Sequence, residues 1–421
     1  MRFARFWTKS NNPRMRSGNN SNGRALLVFY AVMLAFGFGM GVVRNFITPY
    51  LKSLGIDESV IGVLVGLGAV GAMLVSLPGG RLADAFGPKS AIIAYVGSVT
   101  AITALFPVLA LPLAAMSLYV MLGATNGLGL PSTTPYIYGA TKASNRGKSM
   151  SWYMITFYLG GIVGPILGGF LADNYGMKTA FFASAIICAA GLATAFALPP
   201  GRPNHRRHEK RKPVLSVSDI KEMLAVRGFK GLVFRGIALQ TVNGISITVL
   251  SIFILYHLGI SKASAGLVFG LASVSGLLTT PLGGMLSDRI GRKYPVIIGC
   301  SIGAVCFALI PLAALAPQEM QFPLICILIA TESAGFGLSN PSIMALMSET
   351  MPRGRIGTGM GVYYTIATLG WVAGAPVAGV LFKMNVAMPF VLGGIVTIAS
   401  VLIFAYLVPE TASKNTEALV K

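Results

Sequence analysis

One carboxylic acid lies in the middle of a long apolar run. Glu332 falls in ILIATESAGFG, and the chain of 421 residues contains only 13 Asp and Glu. A charged carboxylate inside a membrane is costly, so such a residue is a candidate for function. We predict that Glu332 takes up and releases a proton. The alternative is that it serves as a structural partner for a nearby basic or hydroxyl group.

An arginine is the second charge within an apolar run. Arg44 lies in GMGVVRNFITPY, in the outer part of the first run. If its side chain faces a cavity, the guanidinium could hold an anionic group through two parallel hydrogen bonds. Two alternatives remain open: pairing with Glu332, or extension of the side chain to the membrane surface. Asn45 beside it is a further candidate for the same site.

Several other polar side chains fall within apolar runs and are candidates for a binding site. They are Asn126, Tyr136, Gln240, Asn243 and Asn340. A mostly apolar cavity with a few polar anchors suits an amphiphilic small molecule. For each of these residues, ordinary packing between helices is equally compatible with the sequence.

The residues that an enzyme or a metal site needs are not grouped in this chain. The three histidines do not cluster, and the four cysteines lie inside apolar runs without metal-ligand spacing. We therefore expect no catalytic site, no bound metal and no cofactor. Because no such group of residues is present, we do not expect the protein to be an enzyme.

The composition identifies the elements that position these residues. The chain is 54% hydrophobic and 11% charged, whereas soluble domains carry about 25% charged residues. Apolar runs of 18 or more residues are long enough to cross a bilayer. We predict an all-α membrane protein with twelve transmembrane helices. Their predicted bounds are 25–50, 59–79, 90–111, 114–139, 150–172, 178–197, 231–256, 264–284, 295–316, 321–346, 358–382 and 387–408.

The net charge of +20 is unevenly distributed along the chain. Basic residues gather in short segments between the predicted spans and leave no continuous basic face for nucleic acid. Loops on one side of the membrane hold only Lys52, Lys178, Lys262 and Lys383. Because cytoplasmic loops collect Lys and Arg, we expect both termini in the cytoplasm of a multi-pass protein of the cell (plasma or inner) membrane.

The spans divide the chain into five parts. A basic cytoplasmic tail covers 1–24, a six-helix bundle 25–198, a cytoplasmic linker 199–230, a second six-helix bundle 231–408, and a cytoplasmic tail 409–421. The basic linker could contact anionic lipid headgroups. Its last part, SVSDIKEML, could form an amphipathic helix on the membrane surface.

Two charged, glycine-rich stretches interrupt the apolar runs in corresponding places. GGRLADAFGPK covers residues 79–89 and GGMLSDRIGRK covers 283–293, so Asp84 and Asp288 lie 204 residues apart. Five glycines and one lysine repeat at the same offset: Gly55 with Gly259, Gly62 with Gly266, Gly66 with Gly270, Gly80 with Gly284, Gly87 with Gly291 and Lys89 with Lys293.

The repeat predicts two bundles related by a pseudo-twofold axis, an arrangement that is typical of transporters. Charged residues at the cytoplasmic ends of spans 2 and 8 could then latch the two halves together. The candidates for these gating loops are Gly80, Arg81, Asp84, Gly87, Lys89, Gly284, Asp288, Arg289, Gly291, Arg292 and Lys293.

A third motif, LGGIVGPILGG, lies in the predicted span 5 at residues 159–169. Small residues let two helices approach closely in a membrane, and a proline permits a kink. The residues of this motif are Gly160, Gly161, Gly164, Pro165, Gly168 and Gly169. The motif is compatible with tight packing between the halves and with a role in transport.

The doubled stretch carries a family resemblance. Gly-x-x-x-Asp-Arg-x-Gly-Arg-Lys, complete at residues 284–293, resembles the signature loop of the major facilitator superfamily, whereas the first copy has Ala85 and Pro88 where the family often has basic residues. This resemblance implies a secondary transporter that works by alternating access. It also implies that spans 1, 4, 7 and 10 line a central cavity.

The span-5 motif resembles the antiporter motif of drug:proton exporters in that superfamily. Two departures are visible: Gly123 stands where span 4 of such exporters usually carries an arginine, and span 1 has no acid. The implied function is proton-coupled efflux of small organic compounds by a monomer embedded in membrane lipids.

The alternative is a uniporter or symporter. Its substrate would be an organic anion held by Arg44, or a sugar-like solute, because VPETAS at 408–413 resembles the Pro-Glu-Thr that follows the last span of sugar porters.

Overall fold

The computed structural model describes residues 13–142, 145–200, 217–351 and 356–410. Within these ranges the chain is helical, without β-strands, and twelve helical spans are long and apolar enough to cross a membrane. In chain order they are Gly23–Ser53, Glu58–Phe86, Pro88–Leu105, Pro112–Ala140, Arg146–Asn174, Met177–Phe196, Gly228–His257, Lys262–Ile290, Lys293–Leu315, Gln318–Thr350, Gly359–Met384 and Met388–Leu407. The predicted fold class is therefore confirmed.

Spans 2 and 8 continue into the stretches that were expected to be loops. Span 2 ends at Phe86 and span 8 at Ile290, so the first residues of both charged stretches lie in the last helical turns. Helical hydrogen bonding does not stop where apolar residues stop. Each helix ends where a glycine follows with positive φ, 86° at Gly87 and 100° at Gly291, a conformation that other residues rarely adopt.

The two halves pack their helices in the same way. In the N-terminal half, span 1 packs on spans 5 and 6, and span 2 packs on span 4. In the C-terminal half, span 7 packs on spans 11 and 12, and span 8 packs on span 10. Between the halves, span 2 packs on span 11 and span 5 on span 8. Every pair recurs six spans later, as the duplication predicts.

Two faces of span 5 are used for close approach. Gly160 and Gly164 lie against the backbone of span 1, and Gly168 lies against the carbonyl of Val42 in the same span. Gly169 lies against the backbone of span 8, in the other half. The glycines of this motif thus join span 5 both to its own half and to the interface between the halves.

Spans 1 and 7 are interrupted at corresponding places. Span 1 consists of two helices, Pro13–Arg44 and Ile47–Ser53. Span 7 begins as the α-helix Arg227–Ile245 and continues as π-helical segments at Ser246–Leu250 and Phe253–His257. By the 204-residue offset between the repeats, Arg44 corresponds to a position within the first π segment, Ser246–Leu250. Such interruptions of membrane helices often mark functional sites.

The two ends of the helical bundle differ in how closely the halves approach. We call the end that carries both termini and the turns at Gly87 and Gly291 the basic face, and the other end the opposite face. At the opposite face, the Thr48 hydroxyl donates a hydrogen bond to the Ile247 carbonyl at 3.2 Å. The Tyr256 hydroxyl donates to the Pro49 carbonyl, also at 3.2 Å.

Contacts between the halves extend from the opposite face to the middle of the spans. The last of the described hydrogen bonds in this direction runs from the Ser273 hydroxyl to the Gly161 carbonyl, at 3.0 Å. Nearer the basic face, the Cα atoms of Gly80 and Gly284 face open space. The described hydrogen bonds between the halves are thus found at the opposite face and in the middle of the spans.

A short helix precedes span 7. It covers Val217–Ala225, and Met223 packs in a buried cluster with Phe229, Leu232 and Val408. One face of this helix thus packs on the C-terminal half, and the position of SVSDIKEML on the membrane surface stays a prediction. The basic residues of the predicted linker at 201–216, and residues 1–12 and 411–421 of the predicted tails, lie outside the described residues.

Candidate transport site

Arg44 is the last residue of the first helix of span 1. Its side chain is exposed although protein surrounds it on all sides, a combination that is typical of a residue lining a water-filled cavity. The ionisable groups within electrostatic range of its guanidinium are the phenols of Tyr119, Tyr95 and Tyr158. These come from spans 4, 3 and 5, so the side chain points into the bundle and not toward lipid.

Arg44 makes no hydrogen bond or ion pair with the described part of the chain. Just beyond it, Ile47 to Leu51 are all buried, and Thr48 among them is bonded to span 7. Arg44 therefore lies on the cavity side of the contact that closes the opposite face.

Span 7 presents a polar face to the N-terminal half. The Asn243 side-chain amide donates to Oε1 of Gln240 at 2.9 Å. Gln240, Asn243 and Ile247 follow helical spacing and so share one face, and the Ile247 carbonyl accepts a hydrogen bond from span 1. Because that bond crosses between the halves, this face of span 7 points at span 1.

The remaining polar candidates are placed differently. Asn45 and Asn340 are half-buried, and Asn126 is exposed in a short 3-10 segment that interrupts span 4. Tyr136 is 4% exposed and stacks on Phe29, with ring centroids 5.3 Å apart. It packs within the N-terminal half and does not line the cavity, because its ring finds an aromatic partner inside the bundle.

Glu332 points into the C-terminal half. It lines a small cavity of about 30 Å³ together with Arg235, Cys300 and Ser339. The guanidinium of Arg235 is the cation within electrostatic range of its carboxylate. The pairing of Arg44 with Glu332 that the sequence left open is therefore not found, since a nearer arginine in the same half takes that place.

Arg235 is an arginine held almost completely inside the protein. It is 4% exposed, and its Nε donates to Sγ of Cys300 at 3.0 Å. Its Nη1 has no hydrogen-bond partner among the described residues. A polar cavity of this volume is large enough for a water molecule, which could link Nη1 to the carboxylate of Glu332. Arg235 and Glu332 thus line one small cavity within the C-terminal half, where the Ser333 hydroxyl also donates a hydrogen bond to Glu332 at 3.3 Å.

The second charged stretch is tied within its own half. The Arg292 guanidinium hydrogen-bonds to Asp288 and pairs with Glu349 at the end of span 10, at 3.3 Å. The bond to Asp288, followed by the charge of Glu349, raises the pKa of Arg292 above its ordinary value. The backbone N–H groups of Arg292 and Lys293 donate to the carboxylate of Glu410, at 2.8 and 2.9 Å.

The first charged stretch is tied differently. Lys89 donates to the carbonyl of Phe196, at the end of span 6, at 2.7 Å. Arg81 and Arg289 are exposed, and Asp84 is half-buried. In this conformation the described bonds of both stretches stay within one half, so latching across the halves stays a prediction.

An ion pair joins the halves at the opposite face. Nζ of Lys383, at the end of span 11, lies 2.8 Å from a carboxylate oxygen of Asp57, which precedes span 2. That bond, together with those from the Ser59 hydroxyl and N–H, holds the pKa of Asp57 well below its usual range. The pair is half-exposed on both sides, so its contribution to stability is modest.

Two of these features were missed in the sequence. Arg235 lies four residues inside the predicted span 231–256, and its position within an apolar run was the signal that could have identified it. Asp57 and Lys383 lie 326 residues apart in the chain, and nothing in the local pattern of either one predicts the other.

Comparisons with known proteins agree with this architecture. The family model described as Major Facilitator Superfamily matches residues 29–246 and 232–421. The chain is 24% identical to Multidrug resistance protein 2 of Bacillus subtilis over 390 residues, covering 91% of this chain and 94% of that protein.

A second relative and a solved structure show the same coverage. Quinolone resistance protein NorA of Staphylococcus aureus is 24% identical over 394 residues, covering 91% of this chain and 96% of that protein. The crystal structure of a D-xylose-proton symporter superposes with a TM-score of 0.71 at 20% identity, covering 91% of this chain and 97% of that one.

Proposed function

The chain belongs to the major facilitator superfamily and is a multi-pass membrane transporter, not an enzyme, and we propose that it exports small organic compounds in exchange for protons. The observation that carries the proposal is the carboxylate of Glu332, which lies inside the spans in a small cavity shared with Arg235 and can take up and release a proton there. Multidrug and quinolone resistance proteins among the relatives support export as the direction.

The basic face is the cytoplasmic face in this proposal. Cytoplasmic loops collect Lys and Arg, and the few basic residues of the other face leave little ambiguity. The conformation described above is then open to the cytoplasm and closed to the outside. In the reverse conformation, the charged stretches around Asp84 and Asp288 latch the two halves at the cytoplasmic side. One chain supplies both halves, so we expect a monomer surrounded by lipid.

Protonation of Glu332 biases the choice between the two conformations. With Glu332 ionised, its carboxylate compensates the charge of Arg235, and spans 7 and 10 are held together. With Glu332 protonated, Arg235 loses that compensation and a different packing of these spans becomes favourable. A ligand, here a proton, shifts a conformational equilibrium by as much as its affinity differs between the two states.

Glu332→Gln tests the proposal in proteoliposomes. We expect this variant to lose transport driven by an imposed pH gradient and to keep exchange of substrate across the membrane at equal pH, because exchange needs no net proton movement. Glu319→Gln, at an exposed position at the start of the same helix, is the matched control and should behave as the wild type. Unchanged pH-driven transport in Glu332→Gln would refute the assignment.

A second candidate is uptake of an organic anion, by uniport or proton symport. The accessible and unpaired guanidinium of Arg44 favours it. The direction of proton movement separates the candidates, because protons move against the substrate in exchange and with it in symport. Uniport gives no proton movement.

A further inference from the structure

We infer that the transported compound carries an anionic group, such as a carboxylate or a sulfonate, and that Arg44 binds this group at the closed end of the cavity. The inference rests on the transport function proposed above and names its substrate class. It holds for export and for uptake alike. It depends on the surroundings of Arg44, on its place in span 1, and on the contrast with Arg235.

The surroundings of Arg44 contain no compensating charge. No carboxylate of the described residues bonds to it, and the ionisable groups in range are the phenols of Tyr95, Tyr119 and Tyr158, which are neutral at physiological pH. A cation without a paired carboxylate carries a net positive charge into the cavity, where the low-dielectric walls strengthen its interaction with a charged ligand. This charge attracts an anionic ligand and repels a cationic one.

The position of Arg44 connects a bound anion to the closure of the opposite face. The helix Pro13–Arg44 ends at this residue, and the following helix Ile47–Ser53 is the one that packs on span 7 through Thr48. A ligand held by Arg44 therefore lies at the junction of the two helices of span 1, next to the segment that closes the opposite face. Alternating access requires such a connection between binding and closure.

Two of the three tyrosines suggest the rest of the ligand. Tyr158 is 43% exposed and Tyr119 is partly exposed, whereas Tyr95 is 8% exposed and packs on Phe36. The rings of Tyr119 and Tyr158 offer flat apolar surface and their hydroxyls offer hydrogen bonds. The guanidinium presents parallel N–H groups that match a planar or tetrahedral oxyanion. The combination suits an aromatic or amphiphilic anion better than a small inorganic one.

Arg235 does not offer a second site of this kind. It is 4% exposed, its Nε is bonded to Cys300, and Glu332 already supplies a negative charge. The cavity between them measures about 30 Å³, which accommodates water but no organic group. The anion is therefore expected at Arg44 and not at Arg235.

A matched series of probes tests the inference on the full-length protein in lipid nanodiscs. The probes are 1-naphthoate, 1-naphthalenesulfonate, 1-naphthamide and 1-naphthylmethylamine, which share one ring system and differ in charge. Thermal unfolding is followed as each probe is titrated at neutral pH. We expect the two anions, but not the amide or the amine, to raise the unfolding temperature of the wild type.

Three variants separate a binding role of Arg44 from a structural one. Arg44→Gln should weaken anion binding by ~10-fold or more, the loss expected for a charge-assisted hydrogen bond. Arg44→Lys should retain part of the binding because it keeps the charge but loses the paired N–H groups. Lys178→Gln removes an exposed charge elsewhere and should bind as the wild type does.

Several results would overturn the inference. These are stabilisation of the wild type by the amine or amide alone, by none of the four probes, or by the anions equally in Arg44→Gln. The unfolding temperature without a probe shows whether each variant is folded. Binding requires no proton gradient, so the inference can fail while Glu332→Gln still abolishes pH-driven transport. Equally, anions can bind through Arg44 while the proposed coupling at Glu332 fails.

Discussion

Each half of the molecule holds an arginine among its helices, and the two arginines have opposite surroundings. Arg44 in the N-terminal half is exposed to the cavity and has phenols for neighbours. Arg235 in the C-terminal half is 4% exposed, bonded to Cys300, and faced by Glu332. The duplication has kept the packing of the helices and changed the chemistry placed on them, in line with the general independence of fold and site.

In the mechanism proposed above, this difference assigns different steps of transport to the two halves. The N-terminal half would bind the ligand at Arg44, and the C-terminal half would take up and release the proton at Glu332. Coupling between them has to pass through the contacts that join the halves. The contact nearest to Arg44 along the chain is the hydrogen bond from Thr48 to Ile247, which links the segment after Arg44 to the first π segment of span 7.

The largest expected effect comes from removing Arg235. Arg235→Gln removes the cation within electrostatic range of the Glu332 carboxylate and the bond to Cys300, and loss of a buried charged partner costs at most about 3–5 kcal/mol. The double variant Arg235→Gln with Glu332→Gln removes both charges and should recover most of the lost stability. Thermal unfolding of both variants in the same lipid measures this. Equal destabilisation of the single and double variants would show that the two residues do not form a pair.

The stability of Arg44→Gln should differ sharply from that of Arg235→Gln. Arg44 has no bonded partner among the described residues, so its replacement should change the free energy of unfolding by less than ~0.5 kcal/mol in either direction. The same unfolding experiment measures it. Destabilisation as large as that of Arg235→Gln would show that Arg44 is a structural residue, and the contrast between the halves would be lost.

Two glycines of span 5 test the interface through which the halves are coupled. A methyl group at Gly169 would clash with the carbonyl of Lys262, whereas one at Gly161 would lie 3.9 Å from Oγ of Ser273. Overpacking of this kind costs about 1–3 kcal/mol, so Gly169→Ala should open the opposite face. Hydrogen–deuterium exchange of peptides covering 162–174 and 262–273 should rise in Gly169→Ala and stay near the wild-type level in Gly161→Ala.

The smallest expected effect concerns the ion pair between Asp57 and Lys383, because both side chains are partly exposed and solvent screens them. Lys383 lowers the pKa of Asp57 in the closed conformation, so the pair stabilises that conformation above the ordinary pKa of aspartate. The contribution disappears as the pH falls through the lowered value. Protection from exchange at the opposite face, after correction for the intrinsic pH dependence of amide exchange, should therefore be unchanged between pH 7 and about pH 5, and Asp57→Asn should lower it slightly.

Most of the fold could be predicted from the sequence. Apolar runs of membrane length determine twelve spans, and the offset between Asp84 and Asp288 determines the pseudo-twofold relation. The ends of spans 2 and 8 were placed too early, because charged residues outside the membrane continue a helix until Gly87 and Gly291 end it.

The candidate site was predicted only in part. Glu332 and Arg44 were found because a charge in an apolar run is visible in one dimension. The arginine near Glu332 was not predicted, because the proximity of Glu332 to Arg235 depends on how spans 7 and 10 pack. The burial of Tyr136 against Phe29 likewise depends on packing across helices, and no local pattern reports it.

The division of work between the halves is tested most directly by measuring anion binding and proton flux together. Proteoliposomes with the wild type, Glu332→Gln and Arg44→Gln would be given 1-naphthoate, while internal pH and anion uptake are recorded and binding is measured on the same preparations. The account predicts that Glu332→Gln binds and exchanges the anion without proton movement, whereas Arg44→Gln loses binding and both fluxes. Loss of anion binding in Glu332→Gln, or normal binding with uncoupled flux in Arg44→Gln, would contradict it.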